Sequence, residues 1–111
     1  MAVERTEIGE FKNQSVEQLT LENPNGVTAR FITYGATLTA LQLPSGAGES
    51  VNVTLGYDHL AGYVNSACFF GCMVGRFANR IAGGRFSLAG QTFALPCNEN
   101  GINTLHGGDR G

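Results

Sequence analysis

The chain has 111 residues, 42% hydrophobic and only 14% charged, with a formal net charge of -2. That length fits one domain or a piece of one, and the hydrophobic content excludes wholesale disorder. Arg76, Arg80 and Arg85 are the densest basic group, too little for an electrostatic footprint on nucleic acid.

Taken in order, Met1 to Asn13 carries charges and no apolar stretch, so it does not read as a signal peptide. No apolar run in the chain reaches membrane-spanning length. Asn13-Gln14-Ser15 and Asn52-Val53-Thr54 match the glycosylation pattern, which means nothing without secretion. Leu19 and Leu21 alternate with polar residues, and Val27, Ala29 and Phe31 do the same after Asn23-Pro24-Asn25-Gly26. Proline presets φ there, and Asn and Gly tolerate positive φ, so the segment predicts a hairpin. Residues 36–43 predict a further strand ending at Pro44, and Ser45 to Ser50 a glycine-containing turn. Val51, Val53, Leu55 and Tyr57 alternate strictly and predict a half-buried strand. Asp58 to Val64 reads as a short helix capped by Asp58, with His59 in solvent.

Ala67 to Val74 is a continuous apolar run containing Gly71 and predicts a strand buried on both faces. Phe86 and Leu88, then Phe93 and Leu95, flank Ala89-Gly90 and predict a second hairpin, ended by Pro96. Asn98 to Asn103 reads as loop. The three cysteines, Cys68, Cys72 and Cys97, are odd in number and unevenly spaced, which is no disulfide framework. They also lack the further ligands of a zinc site. They read as buried free thiols in a reducing, cytoplasmic compartment. No segment holds a helical period over three turns, so the fold class expected is all-β, an antiparallel β-sandwich. Charge is scarce against the roughly 25% of a typical globular domain, and the chain stops directly after a glycine-rich loop. Both features read as truncation of a larger domain, although sampling in a short sequence can also lower charge.

Two polar clusters packed with glycine bracket the second hairpin. One runs Gly75-Arg76-Phe77-Ala78-Asn79-Arg80-Ile81-Ala82-Gly83-Gly84-Arg85-Phe86, the other Asn103-Thr104-Leu105-His106-Gly107-Gly108. Glycine lets backbone approach a ligand or turn sharply. Asn79, the donor fork of Arg80 and the titratable ring of His106 are groups that grip hydroxyls. Structural readings stand beside these: Arg80 tying up loop carbonyls, and His106 as a structural hydrogen-bonder. Neither paired glycine belongs to a phosphate loop, and no carboxylate pair has glycosidase spacing.

The string from Gly75 to Phe86 resembles the aldose 1-epimerase signature. So do Leu88-Ala89-Gly90-Gln91-Thr92-Phe93-Ala94-Leu95, Asn98, and Leu105-His106-Gly107-Gly108. Phe70-Gly71, Ile32-Thr33-Tyr34-Gly35-Ala36 and Val53-Thr54-Leu55-Gly56-Tyr57 are also similar to that family, so the likeness runs through most of the chain in order. Val64-Asn65-Ser66-Ala67-Cys68 departs from the family's more usual aromatic or proline-containing stretch. The resemblance implies a galactose mutarotase-like supersandwich, of which residues 1–111 form the N-terminal part, truncated after the Leu-His-Gly-Gly loop. It implies interconversion of the α and β anomers of free hexoses such as galactose and glucose, in hexose and galactose metabolism. The substrate-binding residues it implies are Asn79, Arg80 and His106, with His106 at most an auxiliary in catalysis. The family's acid His, base Glu and a further sugar-binding Asp fall beyond Gly111.

Mutarotation needs a proton taken from O1 and another delivered to the ring oxygen, so two groups of opposite role must flank the sugar. A lone His106 does not readily fill both. The 111-residue chain alone is therefore expected to be inactive, with a small-molecule hexose as its partner. No metal or organic cofactor, nucleic acid or membrane is expected. Three other readings stay open: a non-catalytic carbohydrate-binding module on the same fold, a hexose-phosphate mutarotase with extra basic residues, and a small structural β-domain with Arg80 and His106 buried.

Overall fold

A computed structural model describes residues 2–46 and 48–110. The chain forms two compact units, residues 1–73 and 74–111. The first is built on an antiparallel meander of five strands in sequential order: β1 (Ala2–Phe11), β2 (Gln14–Glu22), β3 (Thr28–Ile32), β4 (Thr37–Pro44) and β5 (Ser50–Asn52). Local chemistry sets each reversal. Lys12 and Asn13 join β1 to β2 with φ of 50° and 62°, the left-handed pair that a two-residue hairpin requires. The β2–β3 hairpin forms as expected from the sequence. Asn23 Oδ1 accepts from the N–H groups of Asn25 and Val27 at 2.9 and 3.0 Å, the side-chain turn for which Asn is suited. The turn between β4 and β5 is closed by Ser45 N–H donating to Glu49 O at 2.7 Å; Ala47, within it, lies outside the described residues. Val16, Ile32 and Ala40 form the buried apolar core. Beside them Thr37 is buried with its hydroxyl donating to Tyr34 O at 2.8 Å.

Four expectations are corrected here. The alternation from Val51 to Tyr57 does not make a half-buried strand: β5 stops at Asn52, and Val53 and Leu55 are 54% and 75% exposed. Asn52 itself ends the ladder, because its Oδ1 accepts from Leu41 N–H, Thr54 N–H and the Thr54 hydroxyl at 3.1, 3.2 and 2.8 Å. A side chain thus takes the place of the next backbone carbonyl. The helix α1 (Leu60–Asn65) exists, but the residue before it is His59, exposed as expected, and Asp58 does not cap it. The segment is held instead by Tyr63, whose hydroxyl accepts from Tyr57 N–H at 3.0 Å and whose ring meets that of Tyr57 edge-on.

The run Ala67–Val74 is not a doubly buried strand. Phe69 and Met73 are 51% and 68% exposed, and Gly71 turns the chain with φ of 65°. Periodicity cannot separate a buried strand from an apolar loop of this length. The run docks by two bonds, Leu38 N–H to Gly71 O at 2.8 Å and Met73 N–H to Gly35 O at 3.0 Å. The cysteines are free, as expected, but not buried: Cys68 is exposed, and Cys72 and Cys97 are half-buried. β1 was not legible at all, because its side chains are almost all exposed and so leave no apolar period. No helix among the described residues is long and apolar enough to cross a membrane.

The second unit has two small antiparallel pairs. β6 (Arg80–Ile81) pairs with β9 (Thr104–Leu105), and β7 (Arg85–Leu88) with β8 (Gln91–Ala94). The expected second hairpin is thus present, turning on Ala89 and Gly90 at φ of 51° and 78°. Phe86 stacks on Phe93 with centroids 5.1 Å apart. Thr104 is buried and donates its hydroxyl to Pro96 O at 2.7 Å.

Candidate functional site

All three sequence-chosen residues meet at the β6–β9 pair. Arg80 lies opposite Leu105, so the residues just outside the pair, Asn79 and His106, also face each other. They exchange two bonds: His106 N–H donates to Asn79 O at 3.0 Å, and Asn79 N–H donates to His106 Nδ1 at 3.1 Å. Both hold left-handed backbone, φ 64° and 52°. That conformation is uncommon for non-glycine residues, with Asn and His among the better-tolerated types. The second bond fixes the imidazole: a nitrogen that accepts an N–H cannot carry a proton, so the ring proton of the neutral form sits on Nε2.

Arg80 is fixed just as tightly. Its Nε–H is shared between the two carboxylate oxygens of Glu99 at 2.9 and 2.8 Å, and Nη2 donates to Glu99 Oε1. Nη1 donates to Asn79 Oδ1 at 3.1 Å. Of five guanidinium donors, one N–H on each terminal nitrogen is left, on a side chain that is half exposed. Asn103 completes the seat: its Nδ2 donates to Glu99 Oε2 at 3.0 Å, and its Oδ1 accepts from Gly83 N–H at 3.3 Å. Asn98 ties the loop to β9, accepting from Leu105 N–H at 2.8 Å and donating to Leu105 O at 3.0 Å.

The charges follow this geometry. Hydrogen bonding from Arg80, then from Asn103, holds the Glu99 carboxyl below its ordinary range; partial burial opposes this, and the charges of Arg80 and His106 assist. The Arg80 guanidinium is pushed up by the same bond and charge. Glu99 is therefore a weaker base than a free carboxylate, with its oxygens already occupied.

The structure thus presents a cluster of donors: the two remaining N–H groups of Arg80 and the amide of Asn79, beside the imidazole of His106. Such a set holds hydroxyl oxygens and can steady negative charge developing on one of them. It supplies no acceptor for a departing proton. Among the described residues, no three His, Cys, Asp or Glu side chains gather as a metal site.

Sequence reasoning missed Glu99, and gave Asn103 only as the first residue of a polar cluster. A signal was present: counting outward equally from the Ala89-Gly90 turn reaches Arg80 on one arm and Glu99 on the other. The structural reading of Arg80 was half right in kind. The residue does tie up a loop, through a carboxylate rather than through carbonyls.

A sequence model described as aldose 1-epimerase matches residues 17–111. A galactose mutarotase from Rattus norvegicus is 41% identical over 113 aligned positions, covering 100% of this chain and 32% of that protein. A probable aldose 1-epimerase from Arthroderma benhamiae is 47% identical over 92 positions, covering 78% of this chain and 21% of the other. The crystal structure of a galactose 1-epimerase from Lactobacillus acidophilus superposes with a TM-score of 0.78 at 30% identity, over 96% of this chain and 30% of that one. The chain spans about a third or less of the length of the proteins it matches.

Proposed function

The chain belongs to the aldose 1-epimerase family, and on that premise we propose that it serves sugar mutarotation: the α and β anomers of a free hexose such as galactose or glucose, in hexose and galactose metabolism, interconvert by acid/base opening of the ring. In this reading residues 79–106 hold the sugar. Arg80 and Asn79 donate to its hydroxyl oxygens, and His106 contacts it beside them. The observation that carries the reading is the double latch: Glu99 pins one edge of the Arg80 guanidinium while the Asn79 backbone pins the His106 ring. Both therefore meet a ligand with little side-chain freedom left to lose.

Ring opening also requires a base at O1 and an acid at the ring oxygen. Glu99 is engaged, and His106 has one nitrogen committed to backbone. The reading therefore assigns the acid His and base Glu to family positions beyond Gly111. The isolated chain then binds sugar and turns it over poorly. The engaged carboxylate equally favours a second reading, a carbohydrate-binding module without catalysis.

Two measurements test this. Galactose titrated into the ¹⁵N-labelled chain should shift the resonances of Asn79, Arg80 and His106, and Arg80→Ala should weaken that binding at least tenfold, the scale of a lost charged hydrogen bond. Sugar that leaves these resonances unmoved refutes the site. Polarimetry of freshly dissolved α-D-galactose should show the chain adding little to the uncatalysed rate. Acceleration at ordinary enzyme rates would place a complete acid/base pair within residues 1–111.

A further inference from the structure

The first unit carries a cleft of about 310 Å³ that the mutarotase reading does not use. That volume sits at the lower end of the roughly 300–1,000 Å³ of small-molecule sites. The sheet supplies its floor. Gln18 on β2, Arg30 on β3 and Gln42 on β4 share one face: Gln18 opposes Ile32 and Gln42 opposes Thr28, each two residues from Arg30. Diagonal neighbours of this kind lie roughly 7–8 Å apart, within reach of one small ligand. The segment after β5 supplies the wall, with Tyr57, Asp58 and His59.

The floor residues are half-buried, yet the side chains of Gln18, Arg30, Gln42, Asp58 and His59 make no hydrogen bond or ion pair with any described residue. Asp58 and His59 are exposed, and no described buried side-chain polar atom lacks a partner, so these groups face solvent and their donors and acceptors are open to a ligand. Here a guanidinium and a carboxylate line one cleft and do not close on each other. We propose that the cleft is a binding site for a neutral polyhydroxyl molecule of monosaccharide size, separate from the Asn79–His106 site. The donor and acceptor pattern selects that class. Arg30 offers only donors and Asp58 only acceptors, while each Gln amide offers both. An anion meets Asp58 and a cation meets Arg30, whereas a hydroxyl both donates and accepts. The proposal stands on the chemistry of this cleft and not on the mutarotase reading.

The ¹⁵N-labelled chain titrated with D-galactose and, separately, with myo-inositol tests it. Inositol has no anomeric centre to open. We expect both to shift the side-chain amides of Gln18 and Gln42 and the Nε–H of Arg30. Arg30→Met and Asp58→Asn, each checked for unchanged backbone dispersion, should weaken this binding about tenfold, and Arg80→Ala should leave it intact. Shifts confined to residues 79–106, or none, overturn the proposal. So does an anion site, recognised by inorganic phosphate moving the Arg30 resonance with Asp58→Asn tightening the interaction.

Discussion

The two units are held together in different ways. In residues 2–73 the strands exchange long runs of backbone bonds, with β1 and β2 paired from end to end, and side chains enter mainly at the turns. In residues 74–110 the ladders are short, and side chains make the joins: Thr104 to Pro96, Asn98 to Leu105, Asn103 to Gly83, Glu99 to Arg80. A backbone ladder accepts any side chain that packs. A side-chain latch accepts almost none but its own. The candidate sugar site lies in the second kind of region, where residue identity rather than periodicity specifies the fold.

The largest expected losses are backbone approaches shared by both units. A Cβ on Gly71 would lie 2.0 Å from Leu38 O, and one on Gly84 2.6 Å from Cys97 Sγ and 2.8 Å from Leu95 O, both at positive φ. Gly71→Ala and Gly84→Ala should each cost about 3 kcal/mol or more, read by urea unfolding. Amide exchange should quicken first in 28–44 for the former and in 80–105 for the latter. Equal, small effects would mean that the close approaches relax freely. Thr104→Val then separates the two kinds of region. It removes the bond from the buried Thr104 hydroxyl to the carbonyl of exposed Pro96 and should cost roughly 0.5–1.5 kcal/mol, whereas an exposed ladder position such as Thr6→Val should change stability by no more than about 0.5 kcal/mol.

Acid provides a subtler contrast. Because the folded state holds the Glu99 carboxyl below its ordinary 4.5, its contribution to stability is complete above that value. It drains away as pH falls through the lower folded value. Glu99→Gln should remove that acid dependence from residues 79–106, while tilting the guanidinium and weakening sugar binding. A variant that keeps the wild-type acid profile would show that the pair carries no linkage. The smallest effect is a gain. Ala89 occupies a left-handed turn position at φ 51°, which Asn tolerates better. Ala89→Asn should raise thermal stability by about 0.5–1 kcal/mol.

The sequence conveyed the two hairpins and the β class because turn chemistry and alternation are local. It also singled out Asn79, Arg80 and His106, by residue type within two glycine-packed clusters and then by likeness to a known family, and the structure brings the three together at the β6–β9 pair. It misled wherever apolar pattern was read as burial. Val53, Leu55 and Met73 have strand-like surroundings in sequence and lie open, since Asn52 and Gly71 redirect the chain for reasons that periodicity does not carry. Glu99 escaped notice because a carboxylate in a loop declares no partner until the hairpin brings Arg80 across from it.

The outer strands of the five-stranded sheet bear on how this protein behaves at high concentration. An unpaired strand edge invites another chain to add to the sheet. β1 carries Glu4, Glu7 and Glu10 along its exposed length, so a second copy approaching that edge brings carboxylates towards carboxylates. β5 is only three residues long, opposite Pro44, which has no N–H to extend a ladder. Charge guards one flank of the sheet and brevity the other. Chain-to-chain stacking should therefore be slow at low ionic strength and quicken as added salt screens the carboxylates.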